Sequence, residues 1–389
     1  MDTAQQLENR HHFQVYNRYP VTLDHGLGAK VWDTKGDEYI DVLGGIAVNN
    51  LGHCHPKVVA AIKSQSEKLL HVSNFYYTEA QSNLVERLAK LSGLERVFLC
   101  NSGMEAMEAA VKLARKWGHE HGKTGNIISL KSGFHGRSVT TITMSAEGYQ
   151  QGFSPLPAGF QQSPFNDFEA LEKIADANTI AIAFETIQGN SGVHVVEQEF
   201  FQKVRKLCDD LNILLIVDEV QTGVGRTGKF WSFEHFGIQP DIVASAKALA
   251  GGIPIGALMA KEEIASVLSF GNHGTTFGGN PFACAVANAT LQAIEDDYLL
   301  EQATEKGAYM MEQIKQKTAH LSSVVNVRGL GLMIGIELDK PARPVVEKMF
   351  ERKVLSNAAG GNVIRLVPPL VISKEEIDTV VDVLVECLD

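Results

Sequence analysis

Two charged side chains of the sequence follow apolar runs and could carry out chemistry together. Asp218 follows Ile213–Val217 (ILLIV), and Lys247 comes shortly after Asp241–Ser245 (DIVAS). A lysine held in a site can have a lowered pKa and form a Schiff base with a carbonyl compound. Taken singly, most lysines are solvated and most acids at strand ends cap helices or face water. Other residues must therefore decide what this pair does.

Two further stretches offer groups that complement the pair. The stretch 101–104 (NSGM) precedes a strong helical pattern. Small residues before a helix form an anion site from free backbone N–H groups and the helix dipole. The stretch 134–137 (FHGR) offers a flat ring and a fixed cation in one loop. Each stretch alone is ordinary, because capped helices, core aromatic residues and surface arginines are common.

Together the four features describe a site for pyridoxal 5′-phosphate (PLP). The phosphate would lie at the N-terminus of the helix, and Lys247 would react with the aldehyde. Asp218 would pair with the ring nitrogen, and Phe134 would cover the ring face. PLP acts as an electron sink, and a carboxylate that keeps the pyridine nitrogen protonated deepens this sink. The sequence therefore predicts a PLP enzyme, with no metal site.

The glycine-rich stretch after Asp218 matches two nucleotide-binding patterns only in part. Residues 223–229 (GVGRTGK) contain G-x-G-x-x-G and nearly form a P-loop. A P-loop needs Ser or Thr after the lysine, but Phe230 stands there. A dinucleotide fingerprint needs its first glycine directly at the end of the strand, but residues 218–222 intervene. We therefore expect a structural loop, and a nucleotide-binding module is the alternative from outside the enzymes.

The chain around these residues alternates short apolar runs with helical patterns. Uninterrupted apolar runs are typical of parallel strands that are buried on both faces. The strand candidates are Arg96–Cys100, Asn126–Leu130, Thr179–Phe184, Ile213–Val217, Asp241–Ser245 and Gly256–Ala260. A helical period at Glu199–Leu211 lies between two of them. This alternation predicts an α/β fold with helices on both faces of a mainly parallel sheet.

The C-terminal third mixes helices with short strands and indicates a smaller α+β domain. The helix candidates there are Asn280–Asp296 and Lys374–Cys387, with Ser373 as the N-cap of the second. The strand candidates are Val324–Leu338, which three glycines interrupt, and Val363–Val367.

Short strand pieces near the N-terminus, at Val31–Trp32 and Tyr39–Val42, flank a turn at Gly36. We expect residues 1–50 to form a segment that packs on the small domain. Residues 51–280 would then form the large PLP-binding domain, and residues 281–389 the small domain.

The composition of the 389 residues limits the class of protein. The chain is 44% hydrophobic and long enough for a large core and two domains. We expect a cytoplasmic protein, because no apolar run approaches the roughly 18–20 residues of a membrane span and the start lacks a signal pattern. The five scattered cysteines argue against a disulfide framework and a zinc site. A net charge of −11 disfavours nucleic acid as a partner, so local arginines must bind any anionic substrate.

Eight stretches, in consistent order, give the sequence a resemblance to a known family. They are GGIAVNNLGHCHP, NSGMEAMEAAVKLAR, FHGRS, DEVQTGVGRTGKFW, DIVASAKALAGGIPIGA, GTTFGGNP, VRGLGLMIG and IRLVPPL. Over essentially its whole length the chain resembles the class III (fold-type I) PLP-dependent aminotransferases, and within them the acetylornithine aminotransferases. The resemblance implies a large domain with a sheet of the seven-stranded type. It also implies an obligate homodimer with shared active sites.

The resemblance implies roles for individual residues. Lys247 would hold the cofactor and carry the proton of the 1,3 shift, and Asp218 would pair with the pyridine nitrogen. The cofactor-binding residues would be Ser102, Gly103, Met104, Phe134, Asp218, Gln221, Lys247, Thr275 and Thr276. Gln221 would reach the ring hydroxyl, and the two threonines would reach the phosphate of the other subunit. Met104 stands where relatives often have Thr, but its backbone N–H can still bind phosphate.

The substrate-binding residues implied by the resemblance are Arg137, Arg365, Tyr16, Ile46 and Glu185. Arg137 would hold the carboxylate far from the reacting amine, and Arg365 a carboxylate next to it, with the bidentate geometry that arginine provides. Tyr16 would border the same pocket. Ile46 stands where free-ornithine enzymes carry an aromatic residue, which favours an acylated substrate.

One position departs from the family pattern. The family usually shows E-P-I-Q-G-E-x-G, whereas residues 185–192 read ETIQGNSG, so Asn190 replaces the second acid. In the family that acid pairs with the arginine matching Arg365 while an ω-amine is bound. We expect Arg365 to be less masked here, or masked by another acid, with a changed balance between ω-amine donors and 2-oxoglutarate.

The leading interpretation is an ω-aminotransferase that moves the δ-amine of N-acetylornithine to 2-oxoglutarate. Within the family, the alternatives are N-succinylornithine, free ornithine, 4-aminobutyrate or the carrier-linked lysine intermediate of lysine synthesis as donor. A PLP aminomutase shares the fold but needs no external amino acceptor, which separates it from an aminotransferase.

Overall fold

The computed structural model describes residues 3–388, and its helices and strands fall into three groups along the chain. The N-terminal group comprises α1 (Ala4–His11), β1 (Leu23–Leu27), β2 (Lys30–Asp33), β3 (Glu38–Asp41) and the single turn α2 (Gly44–Ala47). The middle group comprises α3 (Pro56–Ser66), α4 (Glu79–Ser92), β4 (Arg96–Cys100), α5 (Gly103–Glu120), β5 (Ile127–Leu130), α6 (Val139–Met144), β6 (Phe160–Ser163), α7 (Phe168–Ile174), β7 (Ala181–Phe184), β8 (Ile187–Gln188), β9 (His194–Val195), α8 (Gln198–Leu211), β10 (Leu214–Asp218), β11 (Ile242–Ser245), β12 (Gly256–Ala260), α9 (Glu262–Ala265) and α10 (Pro281–Asp296). The C-terminal group comprises α11 (Leu299–Thr318), β13 (Val324–Leu330), β14 (Met333–Leu338), α12 (Arg343–Glu351), β15 (Val354–Leu355), β16 (Asn357–Ala359), β17 (Val363–Leu366) and α13 (Lys374–Leu388).

The middle group builds a seven-stranded sheet in the order β4-β12-β11-β10-β7-β5-β6. Neighbouring strands from β11 to β6 pair in parallel, and β12 is antiparallel to both of its neighbours. All six strand candidates of this region are strands, with ends that differ from the prediction by no more than two residues. The predicted α/β fold with a mainly parallel sheet is therefore confirmed.

Apolar side chains of the inner strands alternate between two cores, one on each face of the sheet. Leu214 and Ile216 of β10 point to the face covered by α5, whose residues Ala106 to Trp117 complete that core. Leu215 and Val217 point to the opposite face, which α8 and α10 cover. Because both faces are packed, β10 needs apolar residues throughout, and its polar side chain stands at the end of the strand.

The C-terminal group forms a second sheet in the order β13-β14-β17-β16, with antiparallel neighbours throughout. The N-terminal strands form a third sheet, β1-β2-β3-β15, in which β15 pairs with β3 in parallel. The predicted cap of α13 is confirmed, because the Glu376 backbone N–H donates to Ser373 Oγ at 3.1 Å. The boundaries of the domains at residues 50 and 280 stay a prediction.

The glycine-rich loop after β10 packs on α11 and does not line an open cavity for a nucleotide. A Cβ atom at Gly228 would lie 2.1 Å from Thr304 Oγ1, and one at Gly225 would lie 2.9 Å from Leu300. Both glycines also have positive φ, near 87°, which favours glycine over residues with a side chain. These close approaches to the helix account for the glycines without a bound phosphate.

The side chain of Arg226 joins this loop to both ends of the chain. It is fully buried, and its guanidinium donates to Leu332 O at 3.0 Å, to Pro368 O and to Asn50 Oδ1. The Asn50 amide in turn donates to Val224 O at 2.7 Å. Burial lowers the pKa of Arg226 to about 9. The residues that follow Asp218 are thus fixed by contacts with residue 50 and with residues 332 and 368.

In the part of the chain that the structure describes, no helix is long and apolar enough to cross a membrane.

Candidate active site

A cavity of about 460 Å³ opens at the carboxyl edge of the central sheet, which is where open α/β sheets bind ligands. Its volume lies within the roughly 300–1,000 Å³ of small-molecule sites. The predicted site residues that line it are Ser102, Gly103, Met104, Phe134, Arg137, Glu185, Asp218, Gln221 and Lys247. Residues that are far apart in the sequence are thus brought together.

The N-terminus of α5 forms one wall of the cavity. Ser102 is its N-cap, and Ser102 Oγ accepts the Glu105 backbone N–H at 3.2 Å. The N–H groups of the first turn of a helix have no partner within the helix. Here the first two residues of that turn, Gly103 and Met104, line the cavity. A Cβ atom at Gly103 would lie 2.6 Å from Val220 Cγ1, so only glycine lets the helix end approach the opposite wall. This arrangement suits a phosphate group.

Lys247 lies just beyond β11 with φ of 45°, an uncommon conformation for a residue with a side chain. Its side chain borders the cavity. Burial is the largest influence on the lysine and, with the charge of Arg365, it lowers the pKa of Lys247 to about 8, against the opposing charges of Glu185 and Asp218. At neutral pH a larger fraction of Lys247 is therefore in the neutral amine form, which a nucleophile requires, than of a solvated lysine.

Asp218 is held by a histidine that the sequence analysis did not single out. Asp218 Oδ2 lies 2.7 Å from His135 Nδ1, and Asp218 Oδ1 accepts the Val220 backbone N–H at 3.0 Å. Burial alone would lower the pKa of His135, but the hydrogen bond and charge of Asp218 outweigh it, so the pKa is raised. The pair lies 83 positions apart in the sequence, and no periodic pattern links the two residues. The only signal was the place of His135 next to Phe134.

Phe134 is anchored by a buried acid. The Phe134 backbone N–H donates to Glu185 Oε2 at 2.9 Å, and its ring packs edge-to-face on Tyr149 with centroids 5.2 Å apart. Arg137 places its guanidinium 4.3 Å from the centre of the Tyr149 ring. Burial, followed by the charge of Asp218, raises the pKa of Glu185 to about 7. Phe134 and the exposed Arg137 of this loop thus both line the cavity, and their roles toward cofactor and substrate stay predictions.

Arg365 lies beside the cavity on β17 and is 3% exposed. Its guanidinium donates to the amide oxygens of Asn190, Gln221 and Asn357. Among the described residues, no carboxylate accepts a hydrogen bond from Arg365. Burial lowers the pKa of Arg365 to about 10, with Glu185 and Tyr149 opposing the shift. Asn190 thus gives Arg365 an uncharged acceptor, and the effect expected on the two substrates stays a prediction.

Besides Arg365, four predicted residues are not among those that line this cavity. Tyr16 is 66% exposed in the N-terminal segment, beside His12. Ile46 is 42% exposed, with φ of 66°, in the left-handed turn α2. Thr275 Oγ1 accepts from Asn101 Nδ2 at 3.2 Å, and Thr276 is exposed. The roles assigned to these residues stay predictions.

The residues present fit PLP and do not suggest a metal ion. A helix N-terminus, a lysine with a lowered pKa, a carboxylate and an aromatic face border one cavity. The described residues contain no group of three or more His, Cys, Asp or Glu side chains that could hold a metal.

Glu185 leads to a prediction about pH. The pKa of Glu185 is about 7 in the folded protein, above the ordinary 4.5, so the folded protein binds this proton more tightly than the unfolded chain does. The resulting stabilisation is complete below pH 4.5 and is lost as the pH rises through about 7. Gln in E185Q cannot ionise and keeps an oxygen for the Phe134 N–H. In urea denaturation of the cofactor-free protein, the stability of E185Q relative to wild type should rise by about 2 kcal/mol from pH 5 to pH 8.

The exposed Glu147 provides the matched control, and E147Q should follow wild type at both pH values. A difference between E185Q and wild type that does not change with pH would contradict the raised pKa of Glu185.

Comparison with known proteins identifies the family. The model of the family described as aminotransferase class-III matches residues 13–388. The chain is 50% identical over 386 residues to an acetylornithine aminotransferase of Methanocaldococcus jannaschii, covering 98% of this chain and 96% of the relative. It is 46% identical over 385 residues to an acetylornithine aminotransferase of Caldanaerobacter subterraneus, with 98% of each chain covered.

Solved structures agree with this result. The ornithine aminotransferase of Toxoplasma gondii superposes with a TM-score of 0.95 at 34% identity, over 100% of this chain and 95% of the other. An acetylornithine aminotransferase of Elizabethkingia anophelis superposes with a TM-score of 0.88 at 36% identity, over 99% and 97% of the two chains. The resemblance noted in the sequence is confirmed, and the chain belongs to the class III aminotransferases.

Proposed function

We propose that this aminotransferase moves the δ-amino group of N-acetylornithine to 2-oxoglutarate in arginine biosynthesis. The products would be N-acetylglutamate 5-semialdehyde and glutamate, so the amino group and the carbonyl oxygen change places. The observation that carries the proposal is that Lys247 and Asp218 line one cavity together with the end of a helix that suits phosphate. The nearly full-length relatives that bear the name acetylornithine aminotransferase support the choice of substrate.

The residues of the cavity would divide the work of holding PLP. The first turn of α5 would bind the phosphate, and Phe134 would cover one face of the ring. Asp218 would keep a proton on the ring nitrogen, while His135 fixes the direction of the carboxylate. Lys247 Nζ would hold the cofactor and later move a proton between substrate and cofactor. When bound, PLP supplies the electron sink for the negative charge that develops on the substrate carbon.

Two arginines would orient the substrates. Arg137 is exposed at the cavity and would hold the carboxylate far from the reacting carbon. Arg365 would hold the carboxylate next to the reacting carbon of 2-oxoglutarate, and Glu185 lies close enough to act on its charge. N-Acetylornithine has no carboxylate beside its δ-amine, so it would use Arg137 alone.

The proposal predicts a visible absorption band in the purified protein. Addition of N-acetylornithine without an acceptor should convert the yellow band to that of the pyridoxamine form, and 2-oxoglutarate should restore it. K247A should lose the covalent attachment and with it turnover, because the lysine is both anchor and proton carrier.

A yellow band that N-acetylornithine leaves unchanged would keep PLP but favour N-succinylornithine, ornithine or 4-aminobutyrate as donor. Turnover of an amine without any oxo acid would favour an aminomutase. A protein that stays colourless with added PLP would contradict the whole proposal.

Asn190 generates a prediction for the two half-reactions. The Asn190 side-chain oxygen accepts from Arg365 Nη1 at 2.7 Å, and in N190E a carboxylate would compete with 2-oxoglutarate for this cation. We expect kcat/KM for 2-oxoglutarate to fall about tenfold, because a charge-assisted bond must now be displaced. The half-reaction of N-acetylornithine should be spared. The control is N190Q, whose side chain is as long as that of N190E but uncharged, and its kinetics should stay close to those of wild type. Unchanged kinetics of both half-reactions in N190E would contradict the prediction.

The active unit we propose is a homodimer in the cytoplasm, in which Thr275 and Thr276 reach the phosphate of the other subunit. Large apolar side chains beside these threonines are unusually exposed, at 86% for Phe75, 99% for Tyr77 and fully for Phe270. Asn74 Nδ2 donates to Thr275 O at 3.0 Å, so segments 74–77 and 270–277 form one surface. Exposed apolar patches of this kind are typical of interaction sites.

Sedimentation should show wild type as a dimer or larger assembly and the double variant Y77E/F270E as a monomer that holds PLP poorly. V325E changes another apolar residue, which is 60% exposed on β13, and should leave the assembly intact. A wild-type protein that sediments as a monomer and turns over substrate would contradict the shared site.

A further inference from the structure

The hydrogen bonds that Arg365 makes with other described residues use two of its three nitrogens. Nε donates to Asn357 Oδ1 at 3.1 Å. Nη1 donates to Asn190 Oδ1 at 2.7 Å and to Gln221 Oε1 at 3.1 Å. A guanidinium has five N–H groups, one on Nε and two on each Nη. Among the described residues, the two on Nη2 have no partner, and the other three are in use.

A carboxylate cannot bind this guanidinium in a bidentate manner without displacing an amide oxygen. Bidentate binding needs N–H groups on two different nitrogens, so Nη2 must be joined by Nη1 or Nε. Gln221 lines the cavity, whereas Asn190 and Asn357 do not, so a ligand in the cavity approaches the edge at Nη1. Of the two hydrogen bonds at Nη1, the one to Gln221 is longer, so we expect it to break when a carboxylate binds.

The other end of the Gln221 amide faces the cavity. Arg365 can only donate, so the oxygen of the amide must point to it and the NH₂ group must point away. Within the described residues Gln221 Nε2 makes no hydrogen bond, and Gln221 lines the cavity together with Asp218 and Lys247. A Cβ atom at Gly189 would lie 2.1 Å from Gln221 Oε1, so the glycine there leaves room for the amide. Among the described residues, Gln221 therefore has an unpaired donor group in the wall of the cavity.

We propose that Gln221 transmits the binding of a substrate carboxylate at Arg365 to the cofactor. The carboxylate would replace Gln221 Oε1 as the acceptor of the Nη1 N–H group, and the amide would turn. The hydrogen bond that Nε2 would donate to the ring oxygen of bound PLP would then change. This positioning role rests on the proposed function. The hydrogen bond of Gln221 to the cofactor would then differ between the two half-reactions. The reason is that 2-oxoglutarate and glutamate carry a carboxylate beside the reacting carbon, whereas N-acetylornithine does not.

Glutarate tests the proposal because it has two carboxylates and no amine or oxo group that could react. The holoenzyme is titrated with glutarate while calorimetry measures binding and the visible band reports the cofactor. Wild type should show a saturable change of the band that follows the heat of binding. In Q221M, glutarate should bind about fivefold more tightly, since one hydrogen bond no longer has to break, and the band should not respond.

Asn190 provides the matched control, because it accepts from the same Nη1 atom but does not line the cavity. N190A should keep the response of the band. Should Q221M fail to retain the cofactor, Q221E gives the second measurement. Its carboxylate would occupy Arg365, so glutarate should bind at least about tenfold more weakly and the band should again not respond.

Three results would overturn the proposal. The first is a Q221M enzyme with the wild-type response, and the second is an N190A enzyme that loses the response as completely as Q221M. The third is a wild-type enzyme that binds glutarate without a change in its band. A wild-type protein with no visible band at all would instead overturn the proposed cofactor, so failure of the coupling and failure of the function can be told apart.

Discussion

The parallel arrangement of the inner strands is the constraint on which the site depends. β5, β7, β10 and β11 run in one direction, so the segments that follow them all emerge at one edge of the sheet. Parallel neighbours lie about 4.8 Å apart, which brings the residues after adjacent strands within contact distance. Asp218 is in register with Ala244 of the neighbouring strand, three residues before Lys247. The apolar interior of the strands is what forces the polar groups to that edge.

The cavity concentrates charge in a place with little water. Burial lowers the pKa values of Lys247 and Arg365 and raises that of Glu185, whereas the hydrogen bond and charge of Asp218 raise the pKa of His135 against the effect of burial. Such perturbed groups in a cleft are typical of functional sites. The chain as a whole carries a charge of −11, yet Arg137 lines the cavity and the buried Arg365 contacts Gln221 of its wall. The cavity therefore has positive charge nearby, in contrast to the net charge of the chain.

The strands and their common edge could be predicted because an apolar run has a direct physical meaning. Lys247 and Asp218 were found because each follows such a run. The pairing of His135 with Asp218 could not be read from the sequence, since it depends on how a loop after β5 folds over the end of β10. The hydrogen bonds of Arg365 could not be read from the sequence either, because its three amide partners come from separate parts of the chain. Long-range side-chain contacts of this kind leave no periodic trace.

The buried guanidinium of Arg226 has a consequence for the order in which the molecule is completed during synthesis. Its three acceptors lie at residues 50, 332 and 368, so all of them are available only after residue 368 has been synthesised. Until then this cation must stay hydrated, and the loop that carries Gln221 lacks its final support. A chain that stops short of residue 368 can still contain α5 and the strands of the central sheet, but it lacks one acceptor of this guanidinium. The second wall of the cavity therefore depends on residues far beyond it in the sequence.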